Sequence, residues 1–175
     1  MKKSTISIIS VIFIFLSGFI VHNIYEIFPN PITAIIFPVN ESIFEHVKMI
    51  FSSYMIWIII KYFLNKKNNI NENNYLFKEL VITIFEIFLF LLIFIPVYKI
   101  FGENLMITLL IYFITIVISQ IINYFITFKN DYEYLKTIST IAIVLIYLIF
   151  ALFTYKPPIN SFFLDPTNNS YGLNK

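Results

Sequence analysis

PVNESIFEHVKMIFSSYMIWIII, from Pro38 to Ile60, sets Glu41, Glu45, His46 and Lys48 at the mouth of a long apolar run. A water-soluble helix would keep such groups in solvent. Here they open what reads as a membrane-spanning segment, where ionisable groups are expensive and usually have a purpose. The stretch therefore places a polar site near one face of a bilayer.

The rest of the chain agrees with a membrane setting. Its 175 residues are 59% hydrophobic and only 13% charged, with a mean hydropathy of +0.83. A soluble domain carries about 45–50% apolar and about 25% charged residues. Cys is absent, which excludes disulfides, thiolate metal sites and cysteine nucleophiles. All twelve basic residues are Lys, and the net charge of +2 forms no nucleic-acid patch.

A spanning helix needs about 20 mostly apolar residues. Stretches at about 6–27, 43–64, 80–101, 105–128 and 138–155 qualify, so the expected fold is an all-α integral membrane bundle of five transmembrane helices in one domain, 1–175. The separators read as loops: PNPITAIIFPVN is rich in Pro, NKKNNINENN is polar and simple, Gly102 breaks the third span from the fourth, and KNDYEYLK is charged. Lys2 and Lys3 before an apolar core also suit a signal peptide. No A-x-A-like site follows, however, and apolar residues run on to Ile27, so an uncleaved span is expected.

Lysine counting sets the expected orientation. Lys2, Lys3, Lys61, Lys66, Lys67, Lys78, Lys129 and Lys136 fall on one side, against Lys99, Lys156, Lys175 and Lys48 on the other. This puts the N-terminus in the cytoplasm and the tail 156–175 outside, in a multi-pass protein of the cell membrane. The first loop and the tail then share the outer face.

His22 and His46, the only histidines, come out at similar depth on successive spans. Glu26 shares a helical face with His22, as Glu45 does with Glu41, and Lys48 follows three residues on. Ordinary devices explain part of this. Ser42-Ile43-Phe44-Glu45 fits a capping box, and Lys48 can snorkel to the interface and pair with Glu45. They do not explain the histidines. The sharper reading takes His22, Glu41, Glu45 and His46 as candidate catalytic residues, with Glu26, Asn40 and Lys48 around them. His22, Glu45 and His46 would be the ligands if a divalent ion such as Zn²⁺ binds. The same groups suit general acid–base work or proton relay. A short Pro-rich connection should bring the two histidines together.

Deeper from the opposite face, Glu86, Gln120 and Asn123 form an expected inner cluster, read as a carboxyl hydrogen-bonded to amides across a helix interface. A proton or ion pathway is the alternative. Pro96 marks a kink in the third span, and Gly18 beside Ser17 permits close packing.

PVNESIFEHVK resembles the P-V-N-E-S-x-W-E-H-x-K signature of a family of small, uncharacterised membrane proteins from Clostridium-like Gram-positive bacteria. The tail FTYKPPINSFFLDPTNNSYG resembles that family's ending, P-P-x-x-x-L-F-x-D-P-x-x-x-x-Y-G. Phe44 replaces the tryptophan and Phe162-Phe163 the Leu-Phe, and neither change touches an ionisable group. The family has no established activity. The resemblance does imply that Asp165-Pro166 and Tyr171-Gly172 belong with the outer cluster. Three functions stay open at this point: a membrane-embedded or metal-dependent enzyme on a lipid-like or cell-envelope substrate, a non-catalytic factor that binds a protein partner through the loop and tail, and a small ion-coupled transporter.

Overall fold

The computed structural model describes residues 1–102 and 104–173. Lys175, counted above on the tail side, and Asn174 lie outside the described residues, as does Glu103. The molecule is all-α in its body. Five helices are long and apolar enough to cross a bilayer: α1 (Lys3–Ile27), α3 (Ile43–Lys67), α4 (Tyr75–Phe101), α5 (Leu105–Phe125) and α6 (Glu133–Tyr155). At about 1.5 Å per residue even α5 exceeds the hydrocarbon thickness of about 30 Å.

Two features depart from the expected loops. The Pro-rich connection holds a short helix, α2 (Pro31–Ile36), capped by Asn30, whose side chain accepts from the Ile32 and Thr33 amides. Pro31 stands at its first turn, where a missing N–H costs nothing. The tail folds back as a two-residue antiparallel pair, β1 (Leu164–Asp165) with β2 (Ser170–Tyr171), turned by Asn169 in a left-handed conformation.

Three spans also begin or end away from the expected limits. α4 starts at Tyr75 and α6 at Glu133, each five residues before the apolar run suggests, and α5 ends at Phe125. The cause of the early α4 start is Asn74. Its side chain accepts from the Tyr132 amide and donates to Asn130 O, while its own N–H donates to Asp131, clasping the α5–α6 loop. Hydrogen bonds here outweigh hydropathy in placing the helix end. Pro96 lies inside α4, which continues to Phe101.

α3 is the least apolar span and the most buried, with 56% of its central window enclosed against 17% for α6. The arrangement follows from the solvent. Polar groups facing lipid are costly, so the helix that carries them goes inside. α1 packs on α3 and α5, α4 packs on α3, α5 and α6, and α2 lies over α6. Trp57, Tyr54, Ile50 and Phe90 fill the centre. A second cluster, Phe44 and Phe51 of α3 with Phe150 of α6 and Phe163 of the tail, joins the last span and the tail to the core.

Gly18 sets the approach of α1 to α5. A Cβ there would stand 2.8 Å from a ring carbon of Tyr112, whose hydroxyl donates to Ile14 O at 3.0 Å. Gly18→Ala should therefore push the helices apart and cost about 1–3 kcal/mol, as overpacking does. A thermal unfolding midpoint in detergent equal to that of the unsubstituted chain would contradict this packing.

Candidate functional site

The outer polar groups converge where α1 ends, α3 begins and the tail crosses above. His22 Nε2 and a Glu41 carboxylate oxygen are 3.2 Å apart, and the His22 and His46 rings lie 6.3 Å centre to centre. One ligand atom from each of His22, Glu41 and His46 falls within 4.8 Å of the others. His46 Nδ1 lies 2.9 Å from Ser42 O, a carbonyl of the turn before its own helix. A carbonyl only accepts, so Nδ1 carries the proton and Nε2 keeps its lone pair. That backbone contact is the usual way a metal-binding imidazole is fixed in tautomer and direction.

Glu41 sits in the connection between α2 and α3, outside the spans. Its hydrogen bond with His22 holds the carboxyl below its ordinary value and outweighs the burial that would raise it. The trio therefore meets as a carboxylate between two imidazoles.

Glu45 is not part of this group. Its side chain is 1% exposed and turned into the protein, with Lys48 Nζ at 2.7 Å and the Val39 N–H at 3.1 Å. Glu41, one turn earlier, stands where the sequence reading put Glu45 among the ligands. The reason is Lys48. Its ammonium is fully buried and donates to Ala34 O and to Thr154 Oγ, each at 2.8 Å, so it needs a carboxylate beside it. Lys48 thus pairs with Glu45 without snorkelling, and it stays away from the cavity. The capping box is half formed for the same reason. Ser42 Oγ accepts from the Glu45 N–H at 3.4 Å, but the Glu45 carboxylate goes to Val39, and the Ser42 N–H donates to Asn40 instead.

A cavity of about 360 Å³ opens beside the trio, lined by His22, Glu26, Asn40, Glu41, Asp165 and Asn168 among others. Glu26 is exposed at its rim. Asn40 donates to Gly172 O at 2.9 Å, which ties the loop to the tail. Asp165 is buried and accepts from the Thr167 N–H and hydroxyl and from Asn168, holding the β-turn closed. Tyr171 behaves otherwise. Its side chain packs with the Phe44 cluster and does not line the cavity. A narrower slot of about 60 Å³ meets the trio from the other side, between His46, Phe94, Tyr98 and Leu105 under Pro166.

The backbone at Gly172 explains why a glycine follows Tyr171 in the tail. Its φ is +58°, and a Cβ would sit 2.4 Å from Thr154 O, so the chain can pass α6 here only without a side chain. A model of one protein family matches residues 1–173. The chain belongs to DUF6512, a family of unknown function. The match spans both the PVNESIFEHVK stretch and the tail, the two segments that build the site. No curated protein and no solved structure matches the chain.

At the opposite end of the bundle is a second polar assembly that the sequence reading did not foresee. Lys61 Nζ is 2.6 Å from Glu79, and Lys78 Nζ is 2.9 Å from Glu72 and 3.9 Å from Glu79, with Lys61, Lys78 and Glu79 buried and Glu72 partly so. These lysines had been counted as topology charges. Asn123 donates to both oxygens of Glu79, Gln120 donates to Tyr54 Oη, and Glu86 accepts from Ser119 Oγ at 3.4 Å. The two amides thus bond elsewhere than to Glu86 directly. A signal was present: Glu79 and Glu86 are seven apart on α4, and Ser119, Gln120 and Asn123 share one face of α5. For Glu72, which lies in a loop, burial alone would raise the carboxyl. Lys61 and Lys78 more than offset it and bring it below its ordinary value.

Two outcomes follow from these environments. Glu41 and Glu72 both have folded values below the reference of 4.5, so the stability they add is present above that pH and is lost as pH falls through the lowered values. A melting-temperature profile should fall below pH 4.5, and the double substitution Glu41→Gln with Glu72→Gln should flatten it; a drop of unchanged size would refute the assignment. Gly172→Ala should lose about 1–3 kcal/mol through strain and the Thr154 contact, and should speed protease cutting within 160–170. Cutting at the unaltered rate would mean the tail is not seated as described.

Proposed function

We propose that this membrane protein is a metal-dependent enzyme of the bilayer surface, with His22, Glu41 and His46 as the ligands of one divalent ion such as Zn²⁺. The observation that carries the reading is the convergence of these ligand atoms together with the pinned Nδ1 of His46. Bonds of about 2.0–2.1 Å in a tetrahedron separate ligand atoms by about 3.3 Å. The His22–Glu41 pair at 3.2 Å already has that spacing, and His46 brings a ring nitrogen within 4.8 Å of both. Three protein ligands leave one position open, the pattern of catalytic sites, where the metal lowers the pKa of its water and polarises a carbonyl or phosphoryl group. His22 and Glu41 both line the cavity, so a substrate there would lie beside a bound ion.

The surroundings favour an amphiphilic substrate. The cavity carries the carboxylates of Glu26, Glu41 and Asp165 and, among the described residues, no lysine lines it. A neutral or cationic head group suits it better than a phosphate. The slot by Phe94 and Tyr98 is apolar and opens toward Leu105, which is 71% exposed at the helix surface, so an alkyl chain can enter from the bilayer.

The lysine balance supports an extracytoplasmic position for this face. Without the buried Lys48, Lys61 and Lys78, six lysines remain on the N-terminal side against three on the tail side. A protein-binding role for the loop and tail ranks second, supported by exposed Phe28, Ile32 and Ile159 on the same face. Transport through the bundle ranks behind both. The stacked rings of Phe90 and Phe94, 4.9 Å apart, stand between Glu86 and His46 along α4, an apolar break in any shared path.

Elemental analysis of the purified protein tests the metal. About one Zn per chain is expected, with His22→Ala, His46→Ala and Glu41→Gln each reducing loading at least tenfold, the usual scale for losing a ligand or its support. Glu45→Gln should keep the metal while lowering the unfolding temperature. Metal content that is negligible, or indifferent to the histidines, would sink the proposal.

A further inference from the structure

One titratable group plays no part in that reading. Glu86 lies eleven residues into α4, about 16 Å from the helix start. Its side chain is fully buried. Oε2 accepts from Ser119 Oγ at 3.4 Å, and Oε1 has no hydrogen-bond partner among the described residues. Tyr54 of α3 and Tyr112 of α5 are the titratable residues near it, and Tyr147 of α6 packs on Phe51 and Phe150. No lysine or histidine is paired with it among the described residues.

From Glu86 a line of polar side chains leads to one face only. Ser119 Oγ and Tyr54 Oη are 2.7 Å apart, Gln120 Nε2 is 3.2 Å from Tyr54 Oη, and Asn123 lies 3.4 Å from Gln120 and 3.0 Å from Glu79. Glu79 belongs to the Lys61–Glu72–Lys78 assembly at the end of the bundle. Asn123 Oδ1 is itself buried without a partner, an acceptor left over on the line. In the other direction Phe90 and Phe94 close the way.

We propose that Glu86 is a proton-binding site that loads and unloads from the membrane face carrying Lys61, Glu72, Lys78 and Glu79, along Asn123, Gln120, Tyr54 and Ser119. An unpaired carboxylate in hydrocarbon has nothing to offset its desolvation, so the acid keeps its proton. A neutral carboxyl can donate to Ser119, whose hydroxyl both gives and accepts. Unloading moves one proton. Glu86 passes its own to Ser119 Oγ, Ser119 passes its own to Tyr54 Oη, and Tyr54 passes its own to a water molecule held by the amides of Gln120 and Asn123. A carboxylate and a hydronium result, only O–H bonds change, and reloading runs the same steps backward. The site is separate from the His22–Glu41–His46 trio and does not depend on a metal there.

Infrared spectroscopy of the full chain in lipid vesicles tests both parts. At neutral pH the C=O stretch of a protonated carboxylic acid is expected, absent in Glu86→Gln, and it should shift within minutes of transfer to D₂O. Tyr54→Phe and Gln120→Leu should keep the band and slow its exchange about tenfold or more, the effect of a modest rise in barrier. Should Glu86→Gln fail to fold, labelling of the unsubstituted chain by a hydrophobic carbodiimide, mapped by peptide mass, reads proton occupancy directly. Without an acid band, or without carbodiimide on Glu86, the residue is ionised and the proposal fails. A band whose exchange ignores both Tyr54→Phe and Gln120→Leu, or that never exchanges, makes Glu86 a buried structural acid and overturns the route.

Discussion

A single buried ammonium organises the site. Lys48 Nζ is held by Ala34 O of α2, Glu45 of its own helix and Thr154 Oγ of α6, so one charge fixes three helices relative to each other. Glu45, drawn inward to neutralise it, also takes the Val39 N–H and so bends the chain just before Asn40 and Glu41. Glu41 reaches His22 because Glu45 is occupied. Thr154, the third partner, offers its carbonyl to the passage of Gly172. Removing one partner of a buried ion pair typically costs about 3–5 kcal/mol, and here such a loss would spread to loop, tail and site together.

The bundle is polar at both ends and dry between them. Each end pairs its buried ammonium groups with carboxylates. Lys48 answers Glu45 at one end, and Lys61 and Lys78 answer Glu72 and Glu79 at the other. Bilayer hydrocarbon supplies no water to satisfy such groups, so they must be complete within the protein. Between them the aromatic and aliphatic core of α3 and α4 carries no compensated charge, and Glu86 is the exception that stands alone.

Much of this was legible in the residues. Hydropathy alone finds the five spans, and the helix rise places His22 and His46 at one depth. The meeting of the two histidines follows from a connection too short to separate them. Glu45 was misplaced because Glu41 and Glu45 share a helical face on paper, whereas Glu41 precedes the helix and only Glu45 can turn toward Lys48. Lys61 and Lys78 read as topology charges because their partner Glu72 hides in a run of asparagines, where composition bias masks meaning. The resemblance of the tail implies a place for Tyr171 with the outer cluster, but alternate residues of a strand point to opposite sides, and its side chain joins the aromatic cluster.

The roof over the cavity is the segment 164–173, which follows all five spans in the order of synthesis. His22, Glu41 and His46 come early in the chain, yet their enclosure waits until α6 and the stretch after it have been made. Until Gly172 slides past Thr154 and meets Asn40, the trio faces open water. Assembly of the site is thereby tied to completion of the bundle. A chain without its last helix and tail would hold the trio without the chamber, so the enclosed cavity belongs only to the completed bundle.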